Sequence, residues 1–288
     1  MSTSRFVLVT GATGQQGGSA VKALLANGHR VRGLTRNAGS ASAQRLAAQG
    51  VEVVEGDFTD HASLVRAATG VDTVFTMTTP FEKGMEAETA QGLAMLKAVQ
   101  EAGVGHLIYT SVASANQATG IPHFDSKYAV EEAIVASGIP YTIMAPVFFM
   151  ENYLQPWAGL PQGKISLAMP GTTPLQQIAV ADIGAFAAAL VDRRETVFGR
   201  RYDIAGDELT NDAVATALSD VIGQPLQYQG FPAEAMRAHS EDMAIMFEWF
   251  ETTGYSTDID ALRREFPEVG WHRFKEWATA QAWDLVPA

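Results

Sequence analysis

Three evenly spaced glycines, Gly11, Gly14 and Gly17, directly follow the short apolar run Phe6–Thr10. Glycine permits a tight turn and lets the backbone approach a ligand closely. A helix that begins here would direct its free N–H groups and the positive end of its dipole at an anion. Loops in this setting bind the pyrophosphate of a nicotinamide dinucleotide. The residues predicted to contact it are Gly11, Thr13, Gly14, Gln15, Gln16 and Gly17.

The residues after the second and third apolar runs indicate which dinucleotide is bound. NAD-specific folds place an acidic residue at the end of the second strand, where it accepts from the ribose 2′-hydroxyl. This chain has Arg36 there, which suits the 2′-phosphate of NADP(H); a solvated surface arginine is the alternative. Asp57 ends the third run and is placed to accept from the adenine amino group, although an aspartate after Gly56 also forms turns; Phe58, the next residue, is assigned to the cofactor site with it. We therefore predict NADP(H) as the cofactor.

Composition excludes several classes of function. The chain has 288 residues, 47% of them hydrophobic and 18% charged, which is ordinary for a globular protein. Its net charge of −12 argues against nucleic-acid binding, because phosphate backbones repel such a surface. The absence of cysteine excludes disulfides, thiolate catalysis and thiolate metal sites, and no metal site is predicted. With no signal peptide and no apolar run of about 18 residues, we expect a cytoplasmic protein that does not enter a membrane.

The elements that must position these residues alternate between short apolar runs and helical segments. This alternation is typical of βαβ units and predicts a doubly wound parallel Rossmann-type α/β sheet. It also disfavours the alternative that the glycine loop is only a structural turn. The predicted strands are 6–10, 29–35, 51–55, 71–77, 107–111 and 141–145, and the predicted helices include 17–27, 86–102 and 127–136.

The sequence pattern of the chain changes near residue 150. Prolines at 156, 161, 170 and 174 interrupt the following stretch, which therefore reads as loop-rich. Thr210-Asn211-Asp212 is predicted to cap a helix that runs to Ile222, and an aromatic-rich tail follows it. We expect a Rossmann domain over 1–150, with elements that return to it at about 176–210, and a smaller C-terminal α/β lobe within 151–288.

Four segments together resemble a known family. They are Gln16-Gly17-Gly18, Thr35-Arg36-Asn37, Gly56-Asp57 and the stretch from Ala145 to Asn152. With them the chain resembles the NmrA-like branch of the atypical short-chain dehydrogenases/reductases, over roughly residues 5 to 230. The resemblance implies a Rossmann domain with a small C-terminal domain. It also implies either an NADP(H)-dependent reductase of quinones and related carbonyls or a redox-sensing regulator without turnover.

One segment departs from the pattern of that superfamily. Where the superfamily has Tyr-x-x-x-Lys, this chain has His123 and keeps Lys127. The resemblance implies that Lys127 holds the nicotinamide ribose; the alternative is a solvated helix lysine. His123 is the candidate general acid, although a nearby ammonium disfavours the imidazolium and a structural histidine is equally consistent. Ser111, at the end of the fifth predicted strand, is a further candidate proton donor, and so is water.

The remaining candidates come from strand ends that the resemblance places beside the nicotinamide. Thr78 is expected there through backbone contacts, and Phe148 is expected over the ring. Phe149, Asn152 and Tyr153 are assigned to a substrate pocket, with core packing as the alternative. The leading hypothesis is an NADPH-dependent reductase of a small apolar or aromatic carbonyl, quinone or imine. The alternative is an NADP(H)-sensing regulator with a protein partner, and a homodimer fits either function.

Overall fold

The apolar runs of the first half form strands and the segments between them form helices. The computed structural model describes residues 3–283. The strands are β1 (Phe6–Val9), β2 (Arg30–Thr35), β3 (Glu52–Glu55), β4 (Thr73–Met77), β5 (Leu107–Thr110), β6 (Tyr141–Pro146), β7 (Phe148–Phe149), β8 (Lys164–Ile165), β9 (Pro174–Ile178), β10 (Arg200–Ile204), β11 (Asp207–Thr210) and β12 (Gln227–Tyr228). The helices are α1 (Gln15–Ala26), α2 (Ala41–Ala48), α3 (His61–Ala68), α4 (Met85–Ala102), α5 (Pro122–Ala136), α6 (Val180–Asp192), α7 (Arg194–Val197), α8 (Asn211–Ile222), α9 (Glu241–Thr252), α10 (Ile259–Glu265) and α11 (Phe274–Thr279).

The main sheet is a Rossmann-type sheet. Within the described residues it has seven strands in the order β10-β6-β5-β4-β1-β2-β3. The neighbouring strands from β6 to β3 pair in parallel, with Val7 of β1 opposite both Val31 and Thr73. The order reverses between β1 and β4, and ligands of open α/β sheets bind at the carboxyl ends of the strands at such a point. The predicted fold class is confirmed.

The chain divides into two compact units. Within the described residues, one holds 3–118 together with 122–145 and 183–203, and the other holds 119–121, 146–182 and 204–283. The second unit contains a three-stranded sheet, β11-β9-β7, and the short pair β12-β8. Its helix α8 begins as predicted, because Thr210 Oγ1 accepts from the backbone N–H of Ala213 at 3.2 Å. No helix within residues 3–283 is long and apolar enough to cross a lipid bilayer.

Helices α4 and α5 pack unusually closely in the first unit. A Cβ added at Gly92 would lie 2.6 Å from a methyl carbon of Val130, so only glycine fits this crossing. Helix α5 begins at Pro122, five residues before the predicted start at Lys127, because proline is well tolerated in the first turn of a helix. Glu88 of α4 and Ser126 of α5 lie one helical turn before Gly92 and Val130. The close crossing therefore fixes the positions of these two residues relative to each other.

A buried histidine in the first unit predicts a pH dependence of stability. His106 is fully buried, with Nε2 2.9 Å from Thr142 Oγ1. Burial, reinforced by the nearby Arg194, lowers its pKa to about 3. Between about pH 6.5 and pH 3, His106 is therefore protonated in the unfolded chain but not in the folded chain. The free energy of unfolding falls as the pH falls through this range.

We expect His106→Gln to reduce the acid sensitivity of the fold. The parent should lose roughly 2 kcal/mol between about pH 8 and pH 5 through this histidine, and the variant should lose that much less. The measurement is thermal and denaturant unfolding at both pH values, with His239→Gln, an exposed histidine, as control. Equal pH dependence in the parent and in His106→Gln would contradict the assignment.

Candidate active site and cofactor loop

The glycine loop is shaped by backbone contacts between the end of β1 and the start of α1. Gly11 has φ +60, in the left-handed region that favours glycine. Its carbonyl oxygen accepts from the N–H of Gly14 at 2.9 Å. A Cβ at Gly17 would lie 2.2 Å from that same oxygen, so the helix can begin here only with glycine at this position.

Gly14 differs from Gly17, because an added Cβ would meet only one backbone oxygen, in a tight contact rather than a collision. The nearest atom to an added Cβ is the oxygen of Gly11 at 3.3 Å, and Gly14 is exposed. It is the N-cap of α1, has no side chain that could bond the first-turn N–H groups, and no acidic residue lies in that turn. Thr13 and Gln15 are exposed beside it, and Gln16 accepts from Thr110 Oγ1 at 3.0 Å. This open helix terminus fits a pyrophosphate.

Arg36 follows β2 and is 66% exposed, as a ligand for a 2′-phosphate should be. Its guanidinium donates to both carboxylate oxygens of Glu82, at 2.9 and 3.4 Å. Glu82 is itself 53% exposed, and an ion pair between two such exposed groups is weak. Arg36 is therefore accessible to a phosphate that displaces Glu82.

Asp57 adopts the turn geometry that the sequence left open as an alternative. Its Oδ1 accepts from the N–H of Thr59 at 2.8 Å and from the Thr59 hydroxyl at 2.6 Å. These bonds, the hydroxyl first, lower the pKa of Asp57 below its usual value. Phe58 is half-buried and packs against the core of the first unit. Asp57 is thus held as a carboxylate at the end of β3, and its contact with adenine remains a prediction.

Lys127 is the centre of a buried polar cluster. Its Nζ donates to Glu88 Oε1 at 2.6 Å and to the backbone oxygen of Thr78 at 3.1 Å. The Lys127 side chain is 13% exposed and that of Glu88 is fully buried. Thr78 Oγ1 lies 3.3 Å from the hydroxyl of Tyr109, whose pKa is raised by burial. The structure thus joins the predicted residues Lys127 and Thr78 and adds Glu88 to them.

His123 lies one turn before Lys127 on α5. It is 7% exposed, and its ring packs edge-on against Phe124 with the centroids 4.9 Å apart. The ring of Phe81 is 6.2 Å away and is 76% exposed. An aromatic surface therefore lies beside His123 in the first unit.

Ser111 belongs to another cluster. Its hydroxyl donates to Glu131, which also accepts from the Arg201 guanidinium at 2.8 Å. Arg201 additionally pairs with Asp203 and donates to the backbone oxygen of Val112 at 3.0 Å. The Ser111 proton is thus engaged by a buried carboxylate in an ion-pair network.

The other candidates lie in the second unit. Phe148 is 8% exposed, and its ring centroid lies 6.0 Å from that of Tyr153. Tyr153 is fully buried and also packs edge-on against Phe274, which favours core packing for this tyrosine. Phe149 and Asn152 are half-buried. Their assignment to a substrate pocket stays a prediction.

Sequence reasoning missed Glu88 and Glu82. Glu88 lies in an acidic first helical turn, where it resembles a residue that only complements the helix dipole. A signal was nevertheless present: Glu88 shares the spacing of Gly92, Met95 and Val99, which form the buried face of α4. Glu82 lies on an exposed loop, and nothing local marks it as the partner of Arg36.

Comparison with known proteins identifies the family. The sequence profile of the NmrA-like family matches residues 3–278. The chain belongs to the NmrA-like family. This NmrA-like protein is 34% identical over 237 residues to the (4-alkanoyl-5-oxo-2,5-dihydrofuran-3-yl)methyl phosphate reductase of Streptomyces griseus, covering 80% of this chain and 79% of that protein.

Two further proteins share most of its length. Quinone oxidoreductase 2 of Escherichia coli is 29% identical over 226 residues, covering 77% of each chain. The crystal structure of the Citrobacter triphenylmethane reductase with NADP(H) superposes with a TM-score of 0.81 at 26% identity, over 97% of this chain and 100% of that one. The recognised resemblance to the NmrA-like family is confirmed.

Three glycine variants separate the roles of the loop in folding and in binding. Gly14→Val should abolish NADPH binding, because the side chain fills space that the pyrophosphate needs, and should lower Tm less than a substitution at Gly17, since its Cβ meets one backbone oxygen at 3.3 Å. Gly17→Ala should lower Tm as well, since its Cβ collides with backbone. Gly18→Ala should keep both properties, because its Cβ would lie 3.5 Å from its nearest atom.

The measurements are NADPH titration by fluorescence and thermal unfolding of each variant. Normal NADPH affinity in Gly14→Val would show that this loop is not the phosphate site.

Proposed function

We propose that this NmrA-like protein is an NADPH-dependent reductase of planar apolar acceptors, with quinones first and related carbonyls and imines next. The supporting observation is Lys127, held in a buried cluster in the same unit as the open glycine loop. The chain's oxidoreductase relatives support the general reaction. The acceptor class is the finer part of the proposal.

The first unit carries a group suited to each part of the cofactor. The glycine loop binds the pyrophosphate, Arg36 the 2′-phosphate and Asp57 the adenine amino group. Lys127 donates to the nicotinamide ribose and so orients the ring. When bound, NADPH supplies the hydride.

The acceptor is proposed to lie against an aromatic surface. Phe81 presents an exposed ring beside His123. Planar acceptors stack on such rings, and a hydride needs its acceptor carbon held about 3–3.5 Å away. Holding two reactants in that geometry lowers the barrier without any acid.

The proton demand of the acceptor explains the preference for quinones. The chain has no tyrosine at position 123, and Ser111 donates to Glu131. A general acid typically adds about 10²–10⁴-fold to a rate, so acceptors that need little acid help suffer least from its absence. His123 or water supplies the proton in this proposal.

The Arg36 assignment predicts the cofactor preference. A charge-assisted hydrogen bond contributes about 1.5–3 kcal/mol, so the parent should bind NADPH roughly 10- to 150-fold more tightly than NADH. Arg36→Glu should erase or reverse this preference. Glu82→Gln should tighten NADPH binding by about 1.5- to 5-fold and leave NADH unchanged, because only the 2′-phosphate competes with Glu82 for Arg36.

Dissociation constants for both cofactors, from titration of each variant, check this. Arg66→Glu is the matched control, since Arg66 is 70% exposed and lies on α3. Equal affinities of the parent for NADPH and NADH would refute the role of Arg36.

The aromatic surface predicts which acceptors depend on Phe81. Phe81→Ala should raise KM for bicyclic quinones by about 2- to 12-fold, because a stacked aromatic pair contributes about 0.5–1.5 kcal/mol. KM for NADPH should not change. Initial rates with a panel of quinones, aromatic ketones and cyclic imines check this, with Val135→Ala, an exposed residue of α5, as control. An unchanged KM for every acceptor would remove Phe81 from the site.

A second function is favoured by one feature, the histidine where the wider superfamily has its proton-donating tyrosine. In that case the protein senses the NADPH/NADP+ ratio and presents a different surface to a protein partner. Tight NADPH binding with no turnover across the whole acceptor panel, together with a partner whose binding follows that ratio, is the outcome that selects it.

A further inference from the structure

Glu88 is a carboxylate with no access to solvent and with both oxygens occupied. Oε1 accepts from Lys127 Nζ at 2.6 Å and from Thr78 Oγ1 at 3.4 Å, and Oε2 accepts from Ser126 Oγ at 2.6 Å. Burying a charge is costly unless it is paired and hydrogen-bonded, and here it is both. Breaking such a pair is strongly unfavourable, because it strands the remaining charge. The pair is therefore a permanent feature of the site.

Glu88 and its partners come from three different segments of the chain. Thr78 follows β4, Ser126 and Lys127 lie on α5, and Glu88 itself lies in the first turn of α4. The glycine-mediated crossing at Gly92 and Val130, one turn further along both helices, holds α4 and α5 together. The helix packing therefore fixes the position of Glu88, and Glu88 in turn fixes the position of the Lys127 ammonium group.

We propose that Glu88 is the positioning residue of the site: it aims Lys127 at the cofactor and cancels its charge beside the nicotinamide. This rests on the proposed function. An ammonium group has three donors, and Glu88 and the oxygen of Thr78 accept from two of them in fixed directions. The direction of the third, which we assign to the ribose, then follows.

The charge cancellation has a consequence for the two redox forms of the cofactor. The nicotinamide ring is positive in NADP+ and neutral in NADPH. The Lys127–Glu88 pair is neutral as a whole, so it discriminates little between the two rings. Without the carboxylate, the ammonium repels the oxidised ring and leaves the reduced ring unaffected. Glu88 thus allows NADP+ to bind next to Lys127, because its negative charge offsets the repulsion between the ammonium and the oxidised ring.

The test is the ratio of the dissociation constants of NADP+ and NADPH. Glu88→Gln should raise this ratio roughly tenfold, which corresponds to about 1.4 kcal/mol of repulsion between the uncompensated ammonium and the oxidised ring. Glu86→Gln is the matched control, because Glu86 lies in the same helical turn but is exposed, and it should leave the ratio unchanged. In a Lys127→Met background the buried Glu88 has lost its counter-charge and takes up a proton, so Glu88→Gln should no longer change the ratio.

A conservative variant separates position from charge. Glu88→Asp keeps the charge but shortens the side chain by one methylene, so it should weaken NADPH and NADP+ binding together, several-fold, and leave their ratio within about twofold of the parent. This variant also provides the test if Glu88→Gln does not fold. Unchanged affinities in Glu88→Asp, an unchanged ratio in Glu88→Gln, or a ratio change that persists in Lys127→Met would each overturn the proposal.

The readout is binding, so it does not depend on turnover. A parent protein that binds neither NADPH nor NADP+ would refute the proposed function itself. Binding of both cofactors with an unaltered ratio in Glu88→Gln would refute only the role of Glu88.

Discussion

The close approach of α1 to the end of β1 is the constraint on which the site depends. A Cβ at Gly17 would lie 2.2 Å from the oxygen of Gly11 and 2.8 Å from that of Thr10, so backbone packs directly on backbone here. This contact places the first-turn N–H groups of α1 at the carboxyl edge of the sheet, beside the reversal of strand order between β1 and β4. The residues assigned to the cofactor after β2, β3 and β4 lie at the ends of strands on either side of β1.

Charge is the second organising feature. The chain has a net charge of −12, yet its cofactor is itself a polyanion, so the cofactor site needs local positive charge. The two cations assigned to the cofactor, Arg36 and Lys127, each pair with a glutamate from the segment that follows β4. The Arg36–Glu82 pair is exposed and therefore weak, so a phosphate can replace the carboxylate. The Lys127–Glu88 pair is buried and therefore persists, so it shapes the site in every state.

The hydrogen bonds of the candidate hydroxyl group bear on which residue could donate a proton in the proposed reaction. Ser111 donates to Glu131 in a network with Arg201 and Asp203, and this network joins the end of β5 to α5 and β10. A hydroxyl engaged in this way stabilises the fold more readily than it gives up a proton. His123 lies beside an exposed aromatic ring, and the acceptors proposed above are therefore planar molecules that need little acid.

The sequence by itself determined the glycine loop, the alternation of strands and helices, the Arg36 position and the family, because each depends on local spacing and residue type. Strand and helix ends shifted by a few residues, most of all for α5, where Pro122 opens the helix earlier than the hydrophobic pattern indicates. Only the tertiary structure decided the partners of the charged groups. Lys127 and Glu88 are 39 residues apart and Arg36 and Glu82 are 46 apart. Such pairs form because the sheet order and a glycine-mediated helix crossing bring distant segments together, and no local pattern encodes that proximity.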